Sequence, residues 1–417
     1  MNTPRIFPIA VSLILGATCA SIGRSQTPSP EVPSQLKPLY AELDAALTKA
    51  TETYPCRPGE TLPLVAPNLS LAASIYNPTA GDQERWTGLM KTLDAFQAMG
   101  MNGVLVQIMA PDLVWGDREG LLAFYRRLAT EVRSRHMKLY VEHFVNLPFV
   151  ANAPTKEHRG ARIEDTPAGR QEFLDILERE VTLIYRELKP DYLSILTEPG
   201  AAIVRELHLS LKSDDFAGWV GKVCTELKQS GASPATLLGA GLATFEPDIL
   251  ATKFARQADL DYIDFHVYLM KLNGADQIAR LASMIQMVRA VRPAMKLTIG
   301  EAWLFKTGAQ APNPAIDEIF LQNNFSFWSP LDQGFLSLLV GVAQQKQVDV
   351  IAPFFSQFFF SYYTYGEADA KALPTGTRSL RLSWQKATAA IDAQQLSPTG
   401  TALKALLRSL STTRKSN

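Results

Sequence analysis

Residues 167–199 read PAGRQEFLDILEREVTLIYRELKPDYLSILTEP, and a change of period inside this stretch decides the fold. From Pro167 to Leu188 apolar residues recur at three- and four-residue spacing: Phe173, Ile176, Leu177, Val181, Ile184 and Tyr185. Charges fill the other side, the pattern of an amphipathic helix. After Lys189-Pro190 comes a short apolar run, Tyr192–Glu198, the pattern of a strand covered on both faces. The same alternation runs along the chain. Strand-like runs fall at Leu69–Asn77, Gly103–Met109, Lys138–Asn146, Tyr192–Glu198, Leu237–Phe245, Tyr262–Tyr268, Lys296–Trp303 and Val348–Gln357. Helical segments such as Asp82–Met99, Arg118–His136 and Asp276–Val291 separate them. Eight such units favour a closed barrel over an open doubly wound sheet. A nucleotide-binding sheet would also want a glycine fingerprint after its first strand. Gly239-Ala-Gly241 lies inside the fifth run and lacks the third glycine. The reading is an α/β chain, a single (β/α)8 TIM barrel with a short N-terminal extension.

Outward from the barrel, the first 25 residues have the layout of a signal peptide. Met1 to Arg5 carries one positive charge, Ile6 to Ala20 is apolar and small, and cleavage points follow Ala20 and Ser25. The expectation is a secreted or periplasmic protein. Gln26–Gln35 is a Pro/Ser-rich linker, 36–68 an extension packed on the barrel, 69–410 the barrel, and 411–417 a fraying tail. Lys plus Arg and Asp plus Glu number 41 each, so no broad field favours nucleic acid or an anionic membrane. The partners expected are a carbohydrate substrate, no nucleic acid and no membrane, with the chain a monomer. Beyond the leader only Cys56 and Cys224 remain, and an oxidising compartment permits a bridge as readily as two thiols. There is no HExxH, paired-cysteine or GxSxG pattern, and no metal or organic cofactor is expected.

In barrels of this kind the site lies at the C-terminal ends of the strands. The fourth run ends Leu196-Thr197-Glu198-Pro199, and the seventh ends Thr298-Ile299-Gly300-Glu301-Ala302-Trp303. Each places a carboxylate at the top of a buried strand, where an unpaired charge is costly. Glycoside hydrolysis uses such a pair: one group protonates the departing oxygen, and the other attacks the anomeric carbon or activates water. The structural alternative is that each Glu caps a helix or pairs with an arginine. Two glutamates on the fourth and seventh strands of one count favour chemistry.

These residues resemble clan A of the glycoside hydrolases, the set with the family 5 cellulases and mannanases and the family 53 galactanases. The resemblance implies Glu198 as acid/base, in Thr197-Glu198-Pro199 where the family usually has Asn-Glu-Pro, and Glu301 as nucleophile. His266-Val267-Tyr268 matches the family's His-x-Tyr, which implies a hydrogen bond from Tyr268 to the nucleophile. His143 is the counterpart of a family histidine near the end of strand three. The resemblance spans Leu69 to Leu410 by order and spacing. This chain departs from it in three places. Thr197 replaces the Asn that holds the sugar 2-hydroxyl, and Gln107 stands near the strand-two Arg. Phe354, Phe355 and Gln357 occupy the stretch where a Trp often floors the site.

The implied activity is a retaining hydrolase of β-linked glycosides or polysaccharides. The alternative is a non-catalytic carbohydrate-binding pseudoenzyme on the same barrel, which Thr197 favours. A cation held by the glutamates ranks third, because no further carboxylates are evident at neighbouring strand ends. Candidate substrate contacts are His143, Asn146, Gln107, Trp303, Trp115, Tyr76 and Gln357, the aromatics because flat rings suit the CH-rich faces of sugars. Asp264, His266 and Tyr268 alternate onto one strand face, inward or outward, and the strand-three parity leaves Glu142 and His143 open. Phe355–Tyr365 is either a substrate platform or a packing cluster, and Glu157, His158, Arg159 and Arg162 lie in a long loop after strand three.

Overall fold

The computed structural model describes residues 31–57, 60–69, 83–110, 112–115, 118–145, 163–206, 208–268, 270–272, 275–307, 316–367, 371–374 and 377–412. Eight parallel strands form one sheet: β1 (Leu64–Val65), β2 (Gly103–Ala110), β3 (Lys138–Val145), β4 (Tyr192–Ser194), β5 (Leu237–Ala243), β6 (Tyr262–Val267), β7 (Lys296–Ala302) and β8 (Val350–Pro353). Each strand pairs with its sequence neighbour, and β8 pairs with β1. A parallel bridge between Asn68 and Leu105 joins β1 to β2 and closes the ring. The chain is a (β/α)8 barrel.

The expected first strand, Leu69–Asn77, is displaced. The observed β1 begins at Leu64, within the segment read as an extension, and 70–82 lie outside the described residues. Pro63 and Pro67 flank this strand and make it read as a loop. Pro67 still serves the ladder through its carbonyl, which accepts Leu105 N–H at 3.0 Å. The rest of the extension forms a helix, Lys37–Thr53, packed against the helix Ser329–Lys346. Cys224 is a buried free thiol in the helix Ser213–Ser230, so it is not bridged to Cys56.

The strands separate two apolar regions. Outward-facing residues such as Leu139, Val141, Leu193 and Ile263 merge with the helices in one large core. The lumen is plugged low down by Ala66, Leu105, Tyr140, Tyr262, Val350 and Ala352. Above this plug the lumen turns polar. The Tyr140 hydroxyl is 3.0 Å from both Ser194 Oγ and Thr298 Oγ1, and Ser194 Oγ is 3.1 Å from the Tyr262 hydroxyl. Gly239 makes room for this layer, because a Cβ there would lie 2.1 Å from the Tyr262 ring.

One irregularity positions the site. Along β6 and β7, Asp264 pairs with Thr298 but His266 pairs with Glu301, so β7 carries one extra residue over this span. Strict alternation from an inward Thr298 would send Glu301 outward. The bulge at Ile299–Gly300 reverses its parity and turns it into the lumen.

Gly239→Ala is expected to destabilise the fold by ~1–3 kcal/mol through overpacking. Gly88→Ala, in the helix Gln83–Met99 where a new Cβ meets nothing within 4 Å, should stabilise by ~0.4–1 kcal/mol. Urea unfolding of the two variants measures both signs.

Candidate active site

His266, at the upper end of β6, is the centre of the site and is buried. Its Nδ1 lies 2.8 Å from Glu198 Oε1 and 3.7 Å from Glu301 Oε2. Its Nε2 lies 3.3 Å from Asp264 Oδ2 and 3.5 Å from Glu142 Oε1. Burial alone would favour a neutral ring. The charge of Glu301 and the neighbouring carboxyl groups of Asp264, Glu142 and Glu198 outweigh it and raise the pKa well above the ordinary value. His266 is therefore an imidazolium at neutral pH.

Glu301 follows the β7 bulge and is almost fully buried. The Tyr268 hydroxyl donates to its Oε2, and Gln107 Nε2 donates to its Oε1. The same Gln107 nitrogen reaches Glu142 Oε2 at 3.1 Å. Glu198 sits just beyond β4 with φ +45°, a left-handed conformation uncommon for a non-glycine residue. Its backbone N–H donates to the Gly241 carbonyl at 3.1 Å, and its carbonyl accepts from Ala201 N–H. Glu246, after β5, braces this turn: its Oε1 accepts Gly200 N–H at 2.6 Å and its Oε2 accepts Ala243 N–H at 2.9 Å. Burial, and then the charge of Glu198, push Glu246 up to about 7. One carboxylate oxygen from each of Glu198 and Glu301 lies within 4.8 Å of the other.

Below this layer Asp264 takes four donors. Thr298 Oγ1 and Gly300 N–H reach Oδ1, each at 2.6 Å, while Ser194 Oγ at 3.1 Å and His266 reach Oδ2. Burial opposes its charge, but the bonds from His266 and Thr298 prevail and hold it below the usual carboxylate range. Gly300 is required at the crossing, since a Cβ there would lie 2.4 Å from both Asp264 Oδ2 and Glu142 Oε1.

Glu198, Glu301, His266, Tyr268 and Gln107 are thus brought together. Other expected contacts are not. His143 faces outward, its Nε2 2.9 Å from Glu180 Oε2 on the helix Pro167–Glu187. Glu180 in turn accepts the N–H groups of Leu113 and Val114, so this pair anchors the short helix Asp112–Trp115 rather than a substrate. The inward residue of β3 is Glu142, because the apolar set Leu139, Val141 and Val145 claims the outer face. Thr197 donates its hydroxyl to the His143 carbonyl at 3.1 Å, so it does not take the role of the family Asn. Trp303 is fully buried among Phe355, Phe358 and Phe359. Gln357 is buried against Ser383. The aromatic run after β8 is accordingly a packing cluster. Tyr76, Asn146, Glu157, His158, Arg159, Arg162 and the Trp115 side chain lie outside the described residues.

Sequence reading left Glu142 open against His143 and missed Glu246 and Phe305. Half-buried Phe305 stacks on Tyr268 with centroids 4.4 Å apart, and half-buried Phe354 meets the same ring edge-on at 5.6 Å. Glu142 and Asp264 are the neighbouring carboxylates whose apparent lack ranked the cation reading last, so that ground falls. Glu142, Asp264 and His266 offer ligand atoms within 4.8 Å of one another, as do Glu198, His266 and Glu301. Both sets share the His266 ring, however, and its two nitrogens already face carboxylate oxygens.

No family model matches the chain, and no curated protein does. Solved structures do match. A glycoside hydrolase family 5 mannosidase from Rhizomucor miehei aligns with a TM-score of 0.54 at 12% identity, over 86% of this chain and 95% of that one. A GH5_18 protein from Bifidobacterium longum subsp. infantis aligns with a TM-score of 0.50 at 13% identity, over 84% and 79%. The likeness is one of fold: this chain and these two proteins share the (β/α)8 barrel.

On this fold the charge of Glu301 is finely set. Burial raises its pKa and the charge of Glu198 adds to the rise, while His266 and the Tyr268 hydroxyl pull it down, leaving it at about 7. A carboxyl raised in the folded state favours folding below its ordinary value and loses that contribution as pH rises through about 7. Glu301→Gln should therefore be more stable than the wild type by ~1–3 kcal/mol at about pH 8, and the gap should close near pH 4. Thermal unfolding at the two pH values measures it; equal stability at the higher pH would contradict the buried charge.

Proposed function

We propose that this chain is a retaining glycoside hydrolase acting on β-linked glycosides or polysaccharides. The observation that carries the reading is the approach of Glu198 and Glu301 oxygens to within 4.8 Å. Retaining pairs sit ~5–5.5 Å apart, whereas inverting pairs leave ~6.5–9.5 Å for a water. In this reading Glu301 attacks the anomeric carbon while Glu198 protonates the leaving oxygen. Glu198 then takes a proton from the water that cleaves the glycosyl ester. Tyr268 and Gln107 hold the two Glu301 oxygens in position. His266 touches Glu198 directly and lies near Glu301, so one cation serves both carboxylates.

Export through the leader at 1–25, a carbohydrate partner and a monomeric state belong to the same proposal. Among the described residues no helix is long and apolar enough to cross a membrane. A carbohydrate-binding barrel without turnover is the second reading. The observation favouring it is that the Thr197 hydroxyl is taken up by the backbone of β3.

Assays on a panel of aryl β-glycosides separate the two. Glu198→Gln should cost roughly 10²–10⁴ in kcat on natural leaving groups, and Glu301→Gln at least as much. Binding without turnover in the wild type would establish the second reading.

The pH profile gives a further check. Glu301 must be ionised to attack, so activity should rise with pH through about 7. Replacing His266 by Asn removes the cation that lowers this value, and the acid limb should move to higher pH. A limb that stays in place would remove His266 from that role.

A further inference from the structure

We propose that Glu142 keeps its proton in the working site and acts, as a neutral acid, to position Glu301 through Gln107 and His266. What Glu301 does rests on the hydrolase reading; where the proton sits rests on geometry.

Glu142 is fully buried in the lumen. Its Oε2 accepts the Gln107 amide at 3.1 Å. Its Oε1 is buried too, yet no hydrogen-bond donor reaches it. The nearest ring nitrogen, His266 Nε2, is 3.5 Å away and lies closer to Asp264 Oδ2, at 3.3 Å. Asp264 differs sharply, with donors from Thr298, Gly300, Ser194 and His266. An ionised oxygen without a donor is costly in such an interior. A hydroxyl at the same place is itself a donor. Glu142 Oε1 and Asp264 Oδ2 both border the bare face of Gly300, each 2.4 Å from the point where a Cβ would stand.

Charge balance points the same way. The groups around Glu142 are Gln107 from β2, Ser194 from β4, Asp264 and His266 from β6, Glu301 from β7, and the Tyr140 and Tyr262 phenols below. The ring of His266 is the cation that these buried carboxylates share. Burial, and then the charge of Glu301, push Glu142 well above the usual carboxylate range, against a smaller pull from His266. As a neutral acid, Glu142 anchors the Gln107 amide on Glu301 without adding like-charge repulsion.

Infrared spectra of the resting protein at about pH 8.5, alkaline of Glu301, report protonated carboxyls through their C=O band. The band should be present in the wild type, absent in Glu142→Gln and retained in Glu301→Gln. No band in the wild type, or a band lost in Glu301→Gln instead, would overturn the proposal. Kinetics supply a second arm. Glu142→Leu should lower kcat roughly 10-fold with KM held, from the loss of the Gln107 bond. Glu142→Gln should leave the Glu301-controlled acid limb where it is. A limb shifted down by about one pH unit would mean that a charged Glu142 had been removed, which contradicts the proposal. The infrared arm needs no substrate. A correctly assigned band in a protein that turns over no glycoside would overturn the hydrolase reading and leave the proton placement standing.

Discussion

Four carboxyl groups, those of Glu142, Glu198, Asp264 and Glu301, converge on the single ring of His266 inside the barrel mouth. Bringing such groups out of water costs several kcal/mol per ion unless partners and hydrogen bonds offset it. Each group is accordingly stabilised in a different way. Asp264 is saturated with donors, Glu198 keeps some contact with solvent, Glu301 takes donors from Tyr268 and Gln107, and Glu142 remains an acid. The barrel supplies the rigid frame for this arrangement. The hydroxyls of Tyr140, Tyr262, Ser194 and Thr298 form its floor, and the Lys306–Asp332 pair with Tyr362 and Thr399 ties the segment after β7 to the helices behind.

The frame depends on the bulge in β7. Without the extra residue, Thr298 and Glu301 could not both face inward, and the second carboxylate would join the helix layer. Without a glycine at position 300, Asp264 and Glu142 could not approach one another. The candidate site and the backbone irregularities therefore occupy the same few residues, as the left-handed backbone of Glu198 also shows.

Much of the barrel was legible in the sequence because buried parallel strands and amphipathic helices differ in period, as in 167–199. The first strand was not, since Pro63 and Pro67 disguised it. Glu198 and Glu301 were legible from their place at strand ends, but the inward turn of Glu301 was not, because a bulge leaves no mark on the hydrophobic pattern. The exchange of His143 for Glu142 has a similar cause. A charged residue inside a strand looks alike on either face until the apolar set between them is assigned to the helix layer. Trp303 illustrates the limit of reading strand-end aromatics as sugar platforms, because its outward face lay against an aromatic cluster drawn from the loop after β8.

Covalent trapping tests the central claim most directly. Incubation with activated 2-deoxy-2-fluoro-β-glycosides, followed by mass mapping of the labelled peptide, identifies the nucleophile. The label should fall on Glu301, with release of product of retained anomeric configuration. A label on Glu198 or another residue, or turnover with inversion and no label, would contradict it.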